Sequence, residues 1–261
     1  MSIIGVFDSG VGGLSVLKEI QALLPFEDIL YFADCANIPY GNKTPNFIVE
    51  RSKNITRFLI NAGAQSIVVA CNTATAAAIK ALREEWPQLA IVGMEPAVKP
   101  ALAKTKSKVI GVLATVGTLK SAQFAALLDK FASDTEVVMQ AAPGLVECVE
   151  SGDLNSKETR QLLKSFVDPL LSKNADVIVL GCTHYPFLKN LISELAGPGV
   201  TLIDTGAAVA KQLQKKLGES ALLSHSQEKG ELTIYTSGQR EEVEKTISQL
   251  LQKKVNVSTV N

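Results

Sequence analysis

The chain has no excess of either charge: Lys plus Arg and Asp plus Glu both number 26 among 261 residues. Without a net field, neither nucleic acid nor an anionic membrane is an expected partner. The small basic group Lys104, Lys106 and Lys108 reads as solvated surface. No apolar run approaches the ~18 residues that span a bilayer. Nor does the N-terminus show the charged and apolar regions of a leader before it enters a strand at Ile3. The four cysteines, Cys35, Cys71, Cys148 and Cys182, show neither CxxC pairing nor zinc-ligand spacing. Disulfides and metal are therefore not expected, free thiols are, and the expected location is the cytoplasm.

What the chain does have is apolar content of 46%, enough to bury a sizeable core as one large domain or two ordinary ones. Strand-like runs near 3–7, 29–33, 66–70, 90–93, 108–113, 135–140, 176–180, 200–203 and 231–235 alternate with helical patterns near 13–24, 47–61, 74–85, 119–131, 157–171, 187–195, 206–217 and 239–252. Most of these strands are continuously apolar, such as Val177-Ile178-Val179-Leu180, as parallel strands covered on both faces must be. Only Glu231–Tyr235 alternates with period two, which predicts an edge strand.

The two halves echo each other. Gly5-Val6-Phe7-Asp8-Ser9 resembles Gly111-Val112-Leu113-Ala114-Thr115, and a cysteine at the end of an apolar run follows 66 residues after Gly5 and 71 after Gly111. The fold class expected is α/β, with two similar lobes of mainly parallel sheet and the active site in the cleft between them. Residues 1–95 plus 206–261 would form the lobe carrying Asp8 and Cys71, and residues 96–205 the lobe carrying Cys182 and His184. The two prolines of Met94–Pro100 suit a hinge.

Cys71 and Cys182 each end a strand-like run and precede a helix. Ligands of open α/β sheets bind beyond strand carboxyl ends, and a helix amino end favours a thiolate. His184, two residues after Cys182, makes an acid–base pair with it plausible on spacing alone. Two thiols across one crevice could take a proton from one face of a carbon and return it to the other. The glycine-rich turn Asp8–Gly13 fits neither a dinucleotide fingerprint nor a P-loop. It reads equally as a capped strand-to-helix turn or as a carboxylate-binding loop. Pro39-Tyr40-Gly41 is a shaped loop after the second strand. Glu147 and Glu150 lie on a short helix after Pro143-Gly144 and, on the residues alone, read as solvated surface charges, while Cys35 and Cys148 have no counterpart in the other half and read as packing residues.

F-D-S-G-V-G-G-L at Phe7–Leu14, P-Y-G at Pro39–Gly41, C-N-T-A at Cys71–Ala74 and G-C-T-H-Y-P at Gly181–Pro186 together resemble the glutamate racemases, within the wider aspartate/glutamate racemase superfamily. The ordered match runs from residue 3 to beyond residue 204; the last ~50 residues add little. The resemblance implies cofactor-independent interconversion of L- and D-glutamate, supplying D-glutamate for bacterial peptidoglycan. It makes Cys71 and Cys182 the acid/bases, assisted by Asp8 and His184, with Glu150 and Asp34 as further carboxylates near the site. Ser9, Pro39, Tyr40, Gly41, Asn72, Thr73, Thr115, Thr118 and Thr183, with Asp8 and His184, would bind substrate. It also implies a homodimer. Some bacterial relatives carry an N-terminal extension tied to activation by a cell-wall nucleotide precursor; this chain starts directly at its first strand, so that activation is not expected.

No pyridoxal site is evident, so a carbanion-like state would need precise hydrogen bonds in a water-poor cleft. From the residues alone three other readings stay open. One is racemisation of aspartate or another small acid. Another is a cysteine–histidine hydrolase using Cys182 and His184, and the third is a non-catalytic amino-acid binder.

Overall fold

The computed structural model describes residues 2–132 and 134–260. The chain starts with β1 (Ile3–Asp8), α1 (Leu14–Leu23), β2 (Asp28–Ala33), α2 (Pro45–Asn61), β3 (Ser66–Val69), α3 (Asn72–Glu85) and β4 (Ala90–Val92). After a short α4 (Val98–Leu102) come β5 (Val109–Ala114), α5 (Val116–Leu119), α6 (Ala122–Phe131), β6 (Glu136–Ala141), α7 (Leu145–Glu150), α8 (Lys157–Ser172), β7 (Val177–Gly181), α9 (Lys189–Ala196) and β8 (Thr201–Ile203). The chain ends with α10 (Gly206–Glu219), β9 (Leu232–Thr236), α11 (Arg240–Leu251) and β10 (Val257–Thr259).

These strands make two parallel sheets, ordered β10-β9-β2-β1-β3-β4 and β6-β5-β7-β8. Without β9 and β10, both sheets have the same winding. The register repeats as well: Gly5 pairs with Ile67, and Gly111 pairs with Ile178. Each of these glycines leaves room for a leucine of the helix that precedes the third strand of its lobe, Leu59 in one and Leu170 in the other. The echo read from the sequence is thus an echo of topology, register and helix packing. The chain crosses between sheets after β4 and returns after β8.

Apolar runs are buried on both sides. Along β3, Val68 and Ala70 face a core shared with α1 and α10, while Ile67 and Val69 face α2 and α3. Along β7, Ile178 and Leu180 join that first core, whereas Val177 and Val179 pack with Val98 of α4 and Phe124 of α6. Strands that bury both faces at period two cannot afford polar alternation.

Two expectations need correction. β9 is not an edge, because β10 pairs outside it; its mixed pattern reflects half-buried faces beside a three-residue terminal strand. The predicted helix at 119–131 is two, α5 and α6, since Ser121 caps the second by accepting from Phe124 N–H at 3.1 Å. The Met94–Pro100 segment lies where the chain crosses from one sheet to the other, and it enters α4 at Val98, with Pro100 inside the five-residue helix.

The foot of β7 is pinned by Asp176, whose carboxylate accepts from Thr105 Oγ1 at 2.5 Å and from the backbone N–H groups of Lys106 and Ser107 at 2.7 and 2.9 Å. Burial works against its charge, but these donors outweigh it and hold the carboxyl down at about 2. A depressed carboxyl stabilises the fold above its unfolded value near 3.8, and that contribution fades as pH falls toward 2. Asp176→Asn should therefore lower stability at neutral pH by about 1 kcal/mol, given the group's exposure. In urea titrations the gap from the unsubstituted protein should be constant above about pH 5 and narrow below pH 4.

Candidate active site

The carboxyl ends of β1, β3, β5 and β7 converge on one small cavity. Cys71 and Cys182 both line it, with Ser9, Pro39, Tyr40, Gly41, Asn72, Thr73, Thr115, Thr183 and His184. Val146 of α7 joins them; it carries no chemistry that a sequence reading could flag, and supplies an apolar wall. No lysine or arginine lines the cavity. A charged ligand there must be met by hydroxyls, amides and the imidazole. Asn72 is the one polar side chain of this lining whose oxygen and nitrogen are both buried without a partner among the described residues. A buried unpaired amide costs roughly 1–3 kcal/mol unless something else satisfies it.

Cys71 sits at the start of α3, and its Sγ accepts from Ala74 N–H at 3.4 Å, so the thiol itself caps the helix. Ser9 Oγ lies 3.8 Å from that sulfur. Asp8 lies fully buried behind them; its Oδ2 accepts from Gly13 N–H at 2.8 Å and its Oδ1 is 3.4 Å from Ser9 Oγ. Of the two readings of the glycine-rich turn, the structure shows the first: Asp8 secures the start of α1 through Gly13 N–H, and it also stands near the Cys71 thiol. Burial pushes the Asp8 carboxyl up, which the His184 charge and the Gly13 N–H offset only in part. Burial also pushes the Cys71 thiol well up, and the Asp8 charge adds to this. The helix amino end does not win here, contrary to the expectation of a thiolate, because one sulfur–amide contact is outweighed by desolvation beside a carboxylate.

The Cys182 side is different. Its Sγ is 3.7 Å from His184 Nδ1, and His184 Nε2 is 2.6 Å from Glu150 Oε1. Burial opposes the imidazolium, but the hydrogen bonds to Cys182 and Glu150, with the charges of Cys182 and Asp8, hold His184 well above the usual histidine range. Glu150 Oε1 also accepts from Val11 N–H at 2.7 Å, tying the Asp8–Gly13 turn to α7. The glycines of that turn are spaces for these groups: a Cβ at Gly10 would lie 2.8 Å from Glu150 Cδ, and one at Gly12 would fall on the His184 ring.

Asp34 lies outside the cavity lining. Its carboxylate takes both Nε and Nη2 of Arg51 at 2.9 and 2.6 Å, the Tyr40 hydroxyl at 2.6 Å and Ser237 Oγ at 2.7 Å. Burial opposes its charge, but the hydrogen bonds from Arg51, Tyr40 and Ser237 hold it below the usual carboxylate range. It therefore anchors Tyr40 at the wall. Thr118 stands behind Thr73, whose hydroxyl meets Thr115 at 2.9 Å and Thr118 at 3.4 Å, a hydroxyl cluster bridging α3 and α5. Cys35 is not packing alone: its Sγ is 3.8 Å from Glu150 Oε2. Among the described residues no cluster of His, Cys, Asp and Glu could hold a metal ion, and no helix is long and apolar enough to cross a membrane.

Residues 4–213 match the family described as Asp/Glu/hydantoin racemase. A curated glutamate racemase of Ectopseudomonas mendocina is 62% identical over 221 residues, covering 85% of this chain and 84% of that protein. Among solved structures, the glutamate racemase of Bacillus anthracis superposes with TM-score 0.89 at 32% identity, covering 100% of this chain and 97% of that one. The Escherichia coli glutamate racemase, described in complex with L-glutamate and the activator UDP-MurNAc-Ala, superposes with TM-score 0.85 at 32% identity, covering 99% and 98%.

Proposed function

This chain belongs to the Asp/Glu/hydantoin racemase family, and from that premise we propose that it interconverts L- and D-glutamate by proton transfer at Cα between Cys71 and Cys182, without a cofactor. The observation that carries the reading is the meeting of both thiols, from equivalent strands of two like-wound sheets, in one cavity with an unpartnered buried amide at Asn72. Similarity to curated glutamate racemases supports the substrate.

The site is asymmetric in a way that suits the reaction. The raised thiol at Cys71, backed by Asp8, is ready to give a proton. His184, held charged between Cys182 and Glu150, exchanges protons with the opposite sulfur. One thiol removes the Cα proton while the other delivers a proton to the far face; exchanged roles run the reaction backwards. The carbanion-like state would be held by the Asn72 amide and the neighbouring hydroxyls in a water-poor space. In this reading residues 1–95 with 206–261 form one lobe and residues 96–205 the other, closing on substrate. The enzyme works as a cytoplasmic homodimer and feeds peptidoglycan synthesis.

The test is to incubate L-glutamate with the protein in D2O, adding neither cofactor nor nucleotide. Optical activity should vanish and deuterium should enter Cα, as read by circular dichroism and proton NMR. L-Aspartate should change far more slowly. Inert glutamate with active aspartate would reassign the substrate, and no exchange with either would overturn the two-thiol reading.

A further inference from the structure

We propose that Thr246 and Gln249, on α11, are positioning residues for proton transfer at Cys182, acting through Glu150 and His184. This rests on the racemase reading of the same cavity.

α11 runs between β9 and β10 of the six-stranded sheet, yet two of its side chains grip the end of α7, whose neighbouring strands belong to the other sheet. Helix carboxyl ends leave backbone carbonyls without partners. At the end of α7 the turn itself uses the carbonyls of Glu147, Cys148 and Val149, which accept from Ser151, Asp153 and Gly152 N–H. The carbonyls of Glu150 and Gly152 are taken by α11: Thr246 Oγ1 donates to Glu150 O at 3.0 Å, and Gln249 Nε2 donates to Gly152 O at 2.8 Å. Residues three apart share one helix face, so both side chains reach the same end of α7. Gly152 has φ +76°, and a Cβ there would lie 2.5 Å from Gln249 Oε1, so the close approach depends on that glycine.

The gripped residue carries the carboxylate that sits 2.6 Å from His184 Nε2, and His184 in turn sits 3.7 Å from Cys182 Sγ. The chain Thr246, Glu150, His184, Cys182 is continuous. The route from Glu150 to Cys71 is longer, through Val11 N–H and the turn that carries Asp8 and Ser9, so a defect at Thr246 should fall mainly on the Cys182 half of the reaction. Sites of this kind need their groups held to about 0.5 Å.

The equilibrium constant between enantiomers is 1, so kcat/KM must fall equally in both directions. The side of the defect shows instead in isotope effects. Thr246→Val should lower kcat/KM about fivefold. It should raise the effect of Cα deuteration for the one enantiomer whose proton Cys182 removes, and lower it for the other. Thr246→Ser should restore both, and Gln249→Ala should act in the same sense more weakly. A second readout needs no turnover. Only His184 and His225 are present, so in a His225→Gln background a nitrogen-15 imidazole spectrum reports His184 alone. Its Nε2 resonance should move in Thr246→Val and return in Thr246→Ser. Equal isotope effects with an unmoved imidazole signal would overturn the proposal and leave Thr246 a stability contact. If the unsubstituted protein shows no Cα exchange, the racemase reading fails, while the imidazole signal still decides whether α11 sets the Glu150–His184 pair.

Discussion

Replacing Cys71 with serine is expected to slow glutamate racemisation by about a thousandfold or more, with Cys182→Ser causing a comparable loss and neither unfolding the protein. A positioned acid or base contributes typically 10²–10⁴-fold, and a thousandfold loss corresponds to about 4 kcal/mol at the transition state. A hydroxyl occupies less space than a thiol, so the small cavity accepts it, but it holds its proton far more tightly. At Cys71 burial and Asp8 already push the thiol up, so a hydroxyl there starts from a site that disfavours the anion. The two variants should differ in a second respect. Each keeps one working thiol, which can remove and return the proton of one enantiomer on its own face. Cys71→Ser should therefore exchange Cα hydrogen with D2O, without inversion, from one enantiomer, and Cys182→Ser from the other. Chiral chromatography beside proton NMR separates exchange from inversion. A hydrolase using Cys182 and His184 would keep its activity in Cys71→Ser, and a racemase with a single base would leave one variant inert toward both enantiomers.

Much of this site was legible in the sequence because its parts are short and local. Cys71 and Cys182 follow directly from buried runs that can only be interior parallel strands, and a residue just past such a strand has one place to be. Asp8 ends β1, and Tyr40 and Thr115 lie just beyond β2 and β5. What stayed hidden arrives from far along the chain. Arg51, on the second turn of α2, looks like any exposed helical arginine until its fork closes on Asp34. Ser237 and Thr246 lie in the stretch whose sequence adds least to the family resemblance, yet they bond the two carboxyl-bearing residues behind the cavity wall, Asp34 and Glu150. The direction of the Cys71 shift was equally beyond a linear reading. A helix amino end is visible in sequence, whereas complete burial beside Asp8 is a property of packing. β10 was missed for a simpler reason: three residues carry no period.

Gly12→Ala should damage the site through a single methyl, lowering kcat by about a hundredfold. A Cβ at Gly12 would meet the His184 ring itself, lying 2.6 Å from Cγ, and a ring cannot yield as a flexible side-chain tip does. The ring has nowhere to go without loss. Its Nδ1 faces Cys182 Sγ, its Nε2 faces Glu150, and the residue is almost fully buried. Either the imidazole tilts away from the sulfur, or the β1–α1 turn lifts off α7 and breaks the Val11 N–H bond to Glu150. Both routes disturb the Cys182 side, and a displacement of about 1 Å near reacting groups costs on the order of 10²-fold. Overpacking of this kind costs typically 1–3 kcal/mol of stability, so the melting temperature should fall only by several degrees. Gly199→Ala is the matched control, since a Cβ there meets nothing within 4 Å; it should leave kcat unchanged. On sequence alone the turn's glycines read as freedom for a tight bend or an approach for a ligand carboxylate. Full activity in Gly12→Ala would restore that reading. A collapse of kcat with the fold retained would show that Gly12 is the space into which the second lobe inserts its histidine.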